Sequence, residues 1–271
     1  MHRAQLVLFS DLDGTLLDHD TYAFDAAQAA LDRLRRERVP LVLCTSKTRA
    51  EIEPLRVELQ NTHPFISENG GAAFIPNGYF GFAIEGAQRR GAFLVVRFGD
   101  SYEALVETLA RASRQSGVPV RGFADMTDEE VAAVTGLSLE RARLARQREF
   151  DEAFEIVEPR GASALLAAIE REGKRWTRGG RFHHIMGASD KAAAVRFLSR
   201  LYERHFGTVT TVGYGDAPND AGFLAEVDVP VLINSPRVEQ LHDLVPHGRV
   251  TLRHGPAGWN DATLSLLENR I

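Results

Sequence analysis

The chain has 271 residues, enough for one large domain or two modest ones, with 44% hydrophobic and 25% charged side chains. Such a composition can bury a substantial core and argues against general disorder. The formal net charge of −5, with acidic residues interrupting the run Arg33, Arg35, Arg36 and Arg38, argues against a dedicated nucleic-acid binder, and no apolar stretch approaches the ~20 residues of a membrane span.

Gln5 to Ser10 form a short apolar run ending at an acidic loop, the pattern of a buried strand. Phe24, Ala27, Leu31 and Leu34 recur at helical spacing and predict a helix to Glu37. VPLVLC predicts a second buried strand, and TSKTRAEIEPLRVEL a loop and a helix, with which Pro54 is compatible if it falls in the first turn or ends a short initial turn. PFISENGG predicts a short strand running into a glycine turn. This alternation indicates an α/β sheet of parallel character. The tail repeats the style. A helix is predicted over Asp190 to His205, then strand TVTTVGYG, a turn and helix in APNDAGFLAEV, and strand VPVLINS. A short helix from Arg237 to Leu244, strand RVTLR, and a loop and helix in GPAGWNDATLSLLEN follow.

The middle differs. Helices are predicted over Ser101 to Gly117 and Asp128 to Glu149, with short strands in FLVVRF, AFEIVE and GKRWTRGGRFHHIMG. These suggest an α+β module inserted into the sheet domain, giving a core over 1–82, an insert over 83–186 and a second core part over 187–271. Cys44 is the single cysteine, so no intrachain disulfide can form, and its apolar surroundings predict a buried, inert thiol. Asp11 and Asp13 interrupt the first apolar stretch, so no signal-peptide pattern is seen and a cytoplasmic protein is expected. Homo-oligomerisation is left open.

The sharpest feature is Asp11-Leu12-Asp13-Gly14-Thr15, two carboxylates one residue apart at a strand end. Gly14 permits a sharp turn, and open α/β sheets bind ligands beyond the carboxyl ends of their strands. Alone, the motif is explained by a solvated turn. A second acidic cluster, Asp216, Asn219 and Asp220 in VGYGDAPNDAGF, also follows an apolar strand. With the two strands adjacent, Asp11, Asp13 and Asp216 would converge as oxygen ligands suited to Mg²⁺. Thr45 and Ser46 follow VPLVLC, where hydroxyls and helix N–H groups can hold a phosphoryl group. Lys191 opens a helix shortly before the second acidic strand and could bridge a phosphate and the carboxylates.

DLDGT, the hydroxyl after VPLVLC, Lys191 and GDAPND, in that order, resemble the four motifs of the haloacid dehalogenase-like phosphatase superfamily. The insert after the second motif resembles the C2B cap of the Cof-like subclass IIB branch. SKTRAE, ENGG and GGRFHHIMGASDKAAAV resemble, more specifically, the mannosyl-3-phosphoglycerate phosphatases. The resemblance implies a Rossmann-like, mostly parallel α/β core with an inserted α+β cap. It also implies a Mg²⁺-dependent phosphomonoesterase that converts mannosyl-3-phosphoglycerate to mannosylglycerate, a stress-related compatible solute, through an aspartyl-phosphate.

The same resemblance makes Asp11 the nucleophile and a metal ligand. Asp13 becomes general acid and then base, with its backbone carbonyl on the metal, and Asp216 a direct ligand. Asp220 is expected to orient a metal water or Lys191, and Asn219 the phosphate or the metal surroundings. Thr45, Ser46 and Lys191 complete the phosphate clamp. Lys47 and Arg49 either meet the substrate's anionic groups or lie on a helix face. Asn69-Gly70-Gly71 is either a plain turn or a loop approaching phosphate. In the insert, Arg181 of the Gly179–His184 hairpin can pair bidentately with a carboxylate, and Arg148 either resembles part of a segment holding glycerate or sugar or lies at a helix end beside a packed Phe150. His183 and His184 should face opposite sides of a strand, so they do not suggest a zinc site. Trp176 either stacks on a sugar or packs. The partner is then a small phosphorylated sugar-glycerate. Alternatives are another sugar-phosphate phosphatase, a phosphomannomutase, or a non-catalytic phosphate sensor. A dinucleotide-binding dehydrogenase is disfavoured because DLDGT stands where a GxGxxG turn would be needed.

Overall fold

In the computed structural model, which describes residues 4–179, 182–188 and 190–269, the chain begins with β1 (Gln5–Ser10), α1 (Gln28–Glu37), β2 (Leu41–Cys44), α2 (Arg49–Glu58), β3 (Phe65–Ser67), β4 (Ala72–Pro76), β5 (Gln88–Arg90) and β6 (Phe93–Arg97). There follow α3 (Tyr102–Ser116), β7 (Val120–Gly122), α4 (Asp128–Thr135), α5 (Leu139–Ala145), β8 (Asp151–Ile156), α6 (Ala162–Arg171), β9 (Arg175–Gly179) and β10 (Phe182–Met186). The tail consists of α7 (Lys191–Phe206), β11 (Val209–Gly215), α8 (Ala221–Leu224), β12 (Val229–Asn234), α9 (Val238–Leu244), β13 (Arg249–His254) and α10 (Gly255–Asn269).

The larger sheet has the order β13-β12-β11-β1-β2-β3-β4-β6-β5. The strands from β13 to β3 run parallel, and β4, β6 and β5 close one side antiparallel. Strand β1 reads as a continuous apolar run because both its faces are covered. Leu8 packs with Leu31, Leu34, Leu43 and Trp259 on one face. Val7 and Phe9 pack with Val42, Val195, Leu198 and Phe223 on the other. Each such fully buried side chain contributes about 1.5–3 kcal/mol. Between β1 and β11, where the connections leave in opposite directions, Ser10 lies beside Tyr214. This register sets Asp11 and Asp216 at neighbouring strand ends, at a topological switch point.

The smaller sheet, β7-β8-β10-β9, is antiparallel. Helices α3 and α6 pack on it through Leu105, Leu109, Leu165 and Ile169. Phe123, Val131, Ala142, Ala153 and Phe182 form a second small core with α4 and α5. The two chain crossings between the sheets touch, since a Cβ on Gly187 would lie 2.7 Å from Asp100 Oδ2. The expected α/β core with an α+β insert is the observed architecture.

Several expectations need correction. The insert begins near Asp100 rather than at residue 83. FLVVRF, assigned to the insert, is β6, which pairs with β4 in the large sheet. Its apolar residues match an antiparallel core strand as well as a cap strand, so pattern alone does not separate them. The single helix expected over Asp128 to Glu149 is two, α4 and α5. Gly136 ends α4 at φ 78°, and Ser138 caps α5 by accepting from the Arg141 N–H. Pro54 lies inside α2, past its first turn, where the Thr48–Glu51 capping box supports the helix start. Helix α10 starts directly at Gly255, without the expected loop.

Candidate active site

Asp11 leaves the end of β1 with its N–H donating to the Tyr214 carbonyl (2.9 Å). Behind it, Trp259 Nε1 donates to Ser10 Oγ (3.1 Å), which donates to the Asp11 carbonyl (2.7 Å). Helix α7 is capped by Asp190, whose side chain accepts from the Ala193 N–H. This places Lys191 at the first helical position, buried under the sheet edge. Its Nζ donates to Asp11 Oδ1 and to Asp220 Oδ1, each at 2.7 Å. The other Asp220 oxygen accepts from the N–H groups of Asp216 and Ala217. Carboxylate oxygens of Asp11, Asp216 and Asp220 lie within 4.8 Å of one another. Gly14 has φ 79°, and a Cβ there would sit 2.8 Å from Asp216 Oδ2. The DLDGT turn therefore needs glycine both for its backbone angle and for the approach of Asp216.

Burial, then Asp220, raises the Asp11 carboxyl well above its ordinary range against the pull of Lys191. Asp216 is pushed up to about 7, mostly by burial and then by Asp220. Burial opposes the Lys191 charge, but Asp11 and Asp220 outweigh it and hold the ammonium protonated. Burial likewise pushes the Cys44 thiol up, in keeping with an inert side chain.

Asp13 lies opposite Lys47, whose Nζ is 2.9 Å from Asp13 Oδ2. Asp13 Oδ1 is buried without a hydrogen-bond partner. Lys47, left by the sequence between the substrate's anionic groups and a helix face, lines the cleft, sits over the Tyr22 ring at 4.8 Å and pairs with Asp13. Thr45 is buried after β2, with its Oγ1 accepting from the Lys47 N–H (3.2 Å), and Ser46 lines the cleft. Arg49 does not join them. It pairs with Glu149 (2.8 Å) and Glu53 (2.9 Å), as a helix-face cation.

The ENGG turn, read from the sequence as either a plain turn or a loop approaching phosphate, makes its contacts with the insert and with the start of α7. Glu68 and Asn69 both have positive φ, at 48° and 56°. Glu68 accepts from the N–H groups of Glu149, Phe150 and Asp151, and Asn69 Nδ2 donates to Asp151 Oδ2 (2.9 Å). A Cβ on Gly70 would lie 2.2 Å from the Asp190 carbonyl carbon, and one on Gly71 2.2 Å from Phe150 Cβ. The turn thus joins the insert to the start of α7 and so supports Lys191. Arg148, read as either a glycerate or sugar contact or a helix-end residue, is a buried ion-pair partner of Asp151 and also donates to the Ser46 carbonyl. Its charge overcomes burial and holds the Asp151 carboxyl down at about 2. Arg181 lies outside the described residues. Trp176 donates to Glu170 and packs beside His183, as a structural residue.

A cleft of about 460 Å³ opens between the sheets. Its core side carries Asp11, Asp13, Tyr22, Ser46, Lys47, Asp216, Asn219 and Arg237, and its insert side Phe123, Leu137, Arg148, Phe182 and His184. A family model of haloacid dehalogenase-like hydrolases matches residues 8–80. The chain is 42% identical over 266 residues to the glucosyl-3-phosphoglycerate/mannosyl-3-phosphoglycerate phosphatase of Methanococcoides burtonii, covering 96% of this chain and 97% of that protein. The chain belongs to the haloacid dehalogenase-like hydrolase family. The phosphatase of the same name from Persephonella marina is 38% identical, with 97% of each chain covered. A solved subclass IIB sugar phosphatase shares the fold at TM-score 0.67 and 16% identity, covering 98% of this chain and 99% of that one.

The resemblance drawn from the motifs therefore holds across nearly the whole hydrolase. Several residues of its cleft carried no signal in the sequence. Arg237, from the start of α9, places Nη2 3.7 Å from Asp216 Oδ2. Tyr22 lines the cleft with φ 59°, an uncommon angle for an aromatic residue. Asp151, Glu68 and the Ser10–Trp259 pair act through partners far away in sequence, which no local pattern announces. His184 was weighed in the sequence as the end of the Gly179–His184 hairpin and as half of a histidine pair. The alternation expected of that pair holds: His184 faces the cleft, while His183 packs on Phe154. No helix among the described residues is long and apolar enough to cross a membrane.

Proposed function

We propose that this hydrolase removes phosphate from 3-phosphoglycerate glycosides, mannosyl-3-phosphoglycerate foremost and its glucosyl counterpart with it, in the cytoplasm. The observation that carries the chemistry is the convergence of Asp11, Asp216 and Lys191 at adjacent strand ends. The names of the full-length relatives supply the substrate class. Asp11 is the nucleophile and takes the phosphoryl group as an aspartyl-phosphate while the alcohol leaves. Asp13 protonates the leaving oxygen and later deprotonates the water that cleaves the intermediate. The Lys47 ion pair holds Asp13 in place. Lys191, Thr45, Ser46 and Asn219 bind and orient the phosphoryl oxygens.

The site suits a hard divalent cation. Among the described residues, Asp11 is met by a cation through one oxygen only, Lys191 at 2.7 Å, and Asp216 only by Arg237 at 3.7 Å, and burial still raises both carboxyls, whereas both Asp220 oxygens are already engaged. Asp11, the Asp13 carbonyl and Asp216 would hold Mg²⁺, and Asp220 would orient its surroundings. When bound, the ion supplies charge neutralisation at the phosphoryl oxygens. The apolar insert wall of Phe123, Leu137 and Phe182 excludes water from the leaving group.

The test is phosphate release with and without Mg²⁺ across mannosyl- and glucosyl-3-phosphoglycerate, glucose 6-phosphate, mannose 6-phosphate and sucrose 6-phosphate. The expected result is Mg²⁺-dependent release with kcat/KM highest for the two phosphoglycerate glycosides. Equal rates on all members would place the protein among general sugar phosphatases. Sugar isomerisation without net phosphate release would make it a mutase.

A further inference from the structure

On the insert side of the cleft, the described polar side chains are Thr135, Arg148 and His184, set among Phe123, Leu137, Ala145, Ala153 and Phe182. Thr135 Oγ1 is occupied at the end of its helix, donating to the Val131 carbonyl and accepting from the Leu137 N–H. Every nitrogen of the Arg148 guanidinium already donates, to Asp151, to the Ala145 carbonyl or to the Ser46 carbonyl. His184 is different. Its Nδ1 lies 3.2 Å from Asp151 Oδ2, and its Nε2 has no hydrogen-bond partner among the described residues. Asp151 is fully buried and is itself held by Arg148 and by Asn69 of the core. It therefore fixes the ring's orientation and keeps a proton on Nδ1, leaving Nε2 as the uncommitted polar atom of this wall.

A single polar atom on an apolar wall decides which ligand oxygen can be buried there. The core side of the cleft already provides for a phosphate. The second anionic group of a phosphoglycerate, its carboxylate, needs a donor, and Lys47 and Arg237 on the core side of the cleft, like Lys191 at Asp11, are each paired with an aspartate. We propose that His184 is a specificity residue whose imidazole, held through Nδ1 by Asp151, meets the carboxylate of the glycerate leaving group through Nε2–H. The inference rests on the phosphoglycerate reading above and adds the residue that enforces it. It also gives Asp151, Arg148 and Asn69 a shared role, holding that imidazole in place from the core side.

The test compares 3-phosphoglycerate with glycerol 3-phosphate, which lacks the carboxylate but keeps the phosphoester, in wild type, His184→Ala and His184→Gln. The readout is the ratio of kcat/KM for the two compounds. In His184→Ala the ratio is expected to fall by about 10- to 100-fold, the range of a lost hydrogen bond to a charged group, and to fall mainly through KM for 3-phosphoglycerate. His184→Gln, whose amide can reach the Nε2 position, should keep part of the preference. It also carries the test if His184→Ala fails to fold by circular dichroism. An unchanged ratio in a folded variant, including equal loss on both compounds, overturns the assignment alone. A wild type that hydrolyses phosphoglycerate glycosides but prefers glycerol 3-phosphate over 3-phosphoglycerate also overturns it. A wild type inactive on the glycosides and without carboxylate preference overturns it together with the functional reading.

Discussion

Replacing Lys191 with methionine removes the ammonium, which also lies 5.6 Å over the Phe223 ring, but keeps a buried aliphatic side chain of similar length. The cation now serves Asp11 and Asp220, both at 2.7 Å, in a site where Asp216 is a third buried carboxylate. Without it, one further carboxylate has to take up a proton to stay buried. From an ordinary value of 3.8, each pH unit costs about 1.4 kcal/mol, which sets a ceiling of about 4 kcal/mol at pH 7 and about 1.5 kcal/mol at pH 5. That ceiling agrees with the range of about 3–5 kcal/mol for breaking one side of a buried ion pair. The assay is urea unfolding of wild type and Lys191→Met in chelator at both pH values. The variant should be less stable at pH 7 by about 3–4 kcal/mol, and the deficit should shrink by at least half at pH 5. Phosphate release should fall by about a hundred- to thousandfold. A deficit below about 1 kcal/mol at pH 7, or one that is the same at both pH values, would refute the reasoning.

Three further outcomes follow from the same geometry. The carboxyl of Asp216 is raised from 3.8 to about 7 on folding, so the native state binds the extra proton; its contribution is present below the unfolded value and lost as pH rises through about 7. Chelated protein should therefore lose melting temperature from pH 5 to pH 8, and added Mg²⁺ should restore more of it at pH 8 than at pH 5, as scanning calorimetry can check. Gly14→Ala, with φ 79° and a Cβ 2.8 Å from Asp216 Oδ2, should destabilise the protein by about 1–3 kcal/mol and weaken Mg²⁺ binding measured by titration calorimetry. Arg49→Ala should change kcat/KM by less than about threefold and stability by less than about 1 kcal/mol, because its exposed ion pairs lie outside the cleft.

The core was legible because its signals are local. Buried parallel strands read as continuous apolar runs, and DLDGT and GDAPND each sit where such a run stops, so both could be placed at strand ends without coordinates; that the two strands are neighbours is a finding of the structure. The cleft's far wall was not legible in that way. Lys47 and Arg148 looked like free cations because their partners, Asp13 and Asp151, can be recognised only after folding. Glu68 and Asn69 looked like turn residues, yet they reach residues 149–151 across the two sheets. Strand β6 shows the same limit: FLVVRF pairs with β4 through a register that its own residues do not encode. What a short segment says about burial is strong, while what it says about its partner is weak.

The central claim is that Asp11 carries the phosphoryl group of a phosphoglycerate glycoside. The most direct measurement is a rapid acid quench with glucosyl-3-phosphoglycerate and Mg²⁺, followed by peptide mass spectrometry, on wild type, Asp13→Asn and Asp11→Asn. One phosphoryl group should appear on the peptide bearing Asp11, forming more slowly in Asp13→Asn, where the first step lacks its acid, but persisting longest there because the second step lacks its base. Asp11→Asn should yield neither phosphopeptide nor phosphate. Sustained phosphate release by Asp11→Asn, or turnover by wild type with no phosphopeptide in either other protein, would contradict the claim.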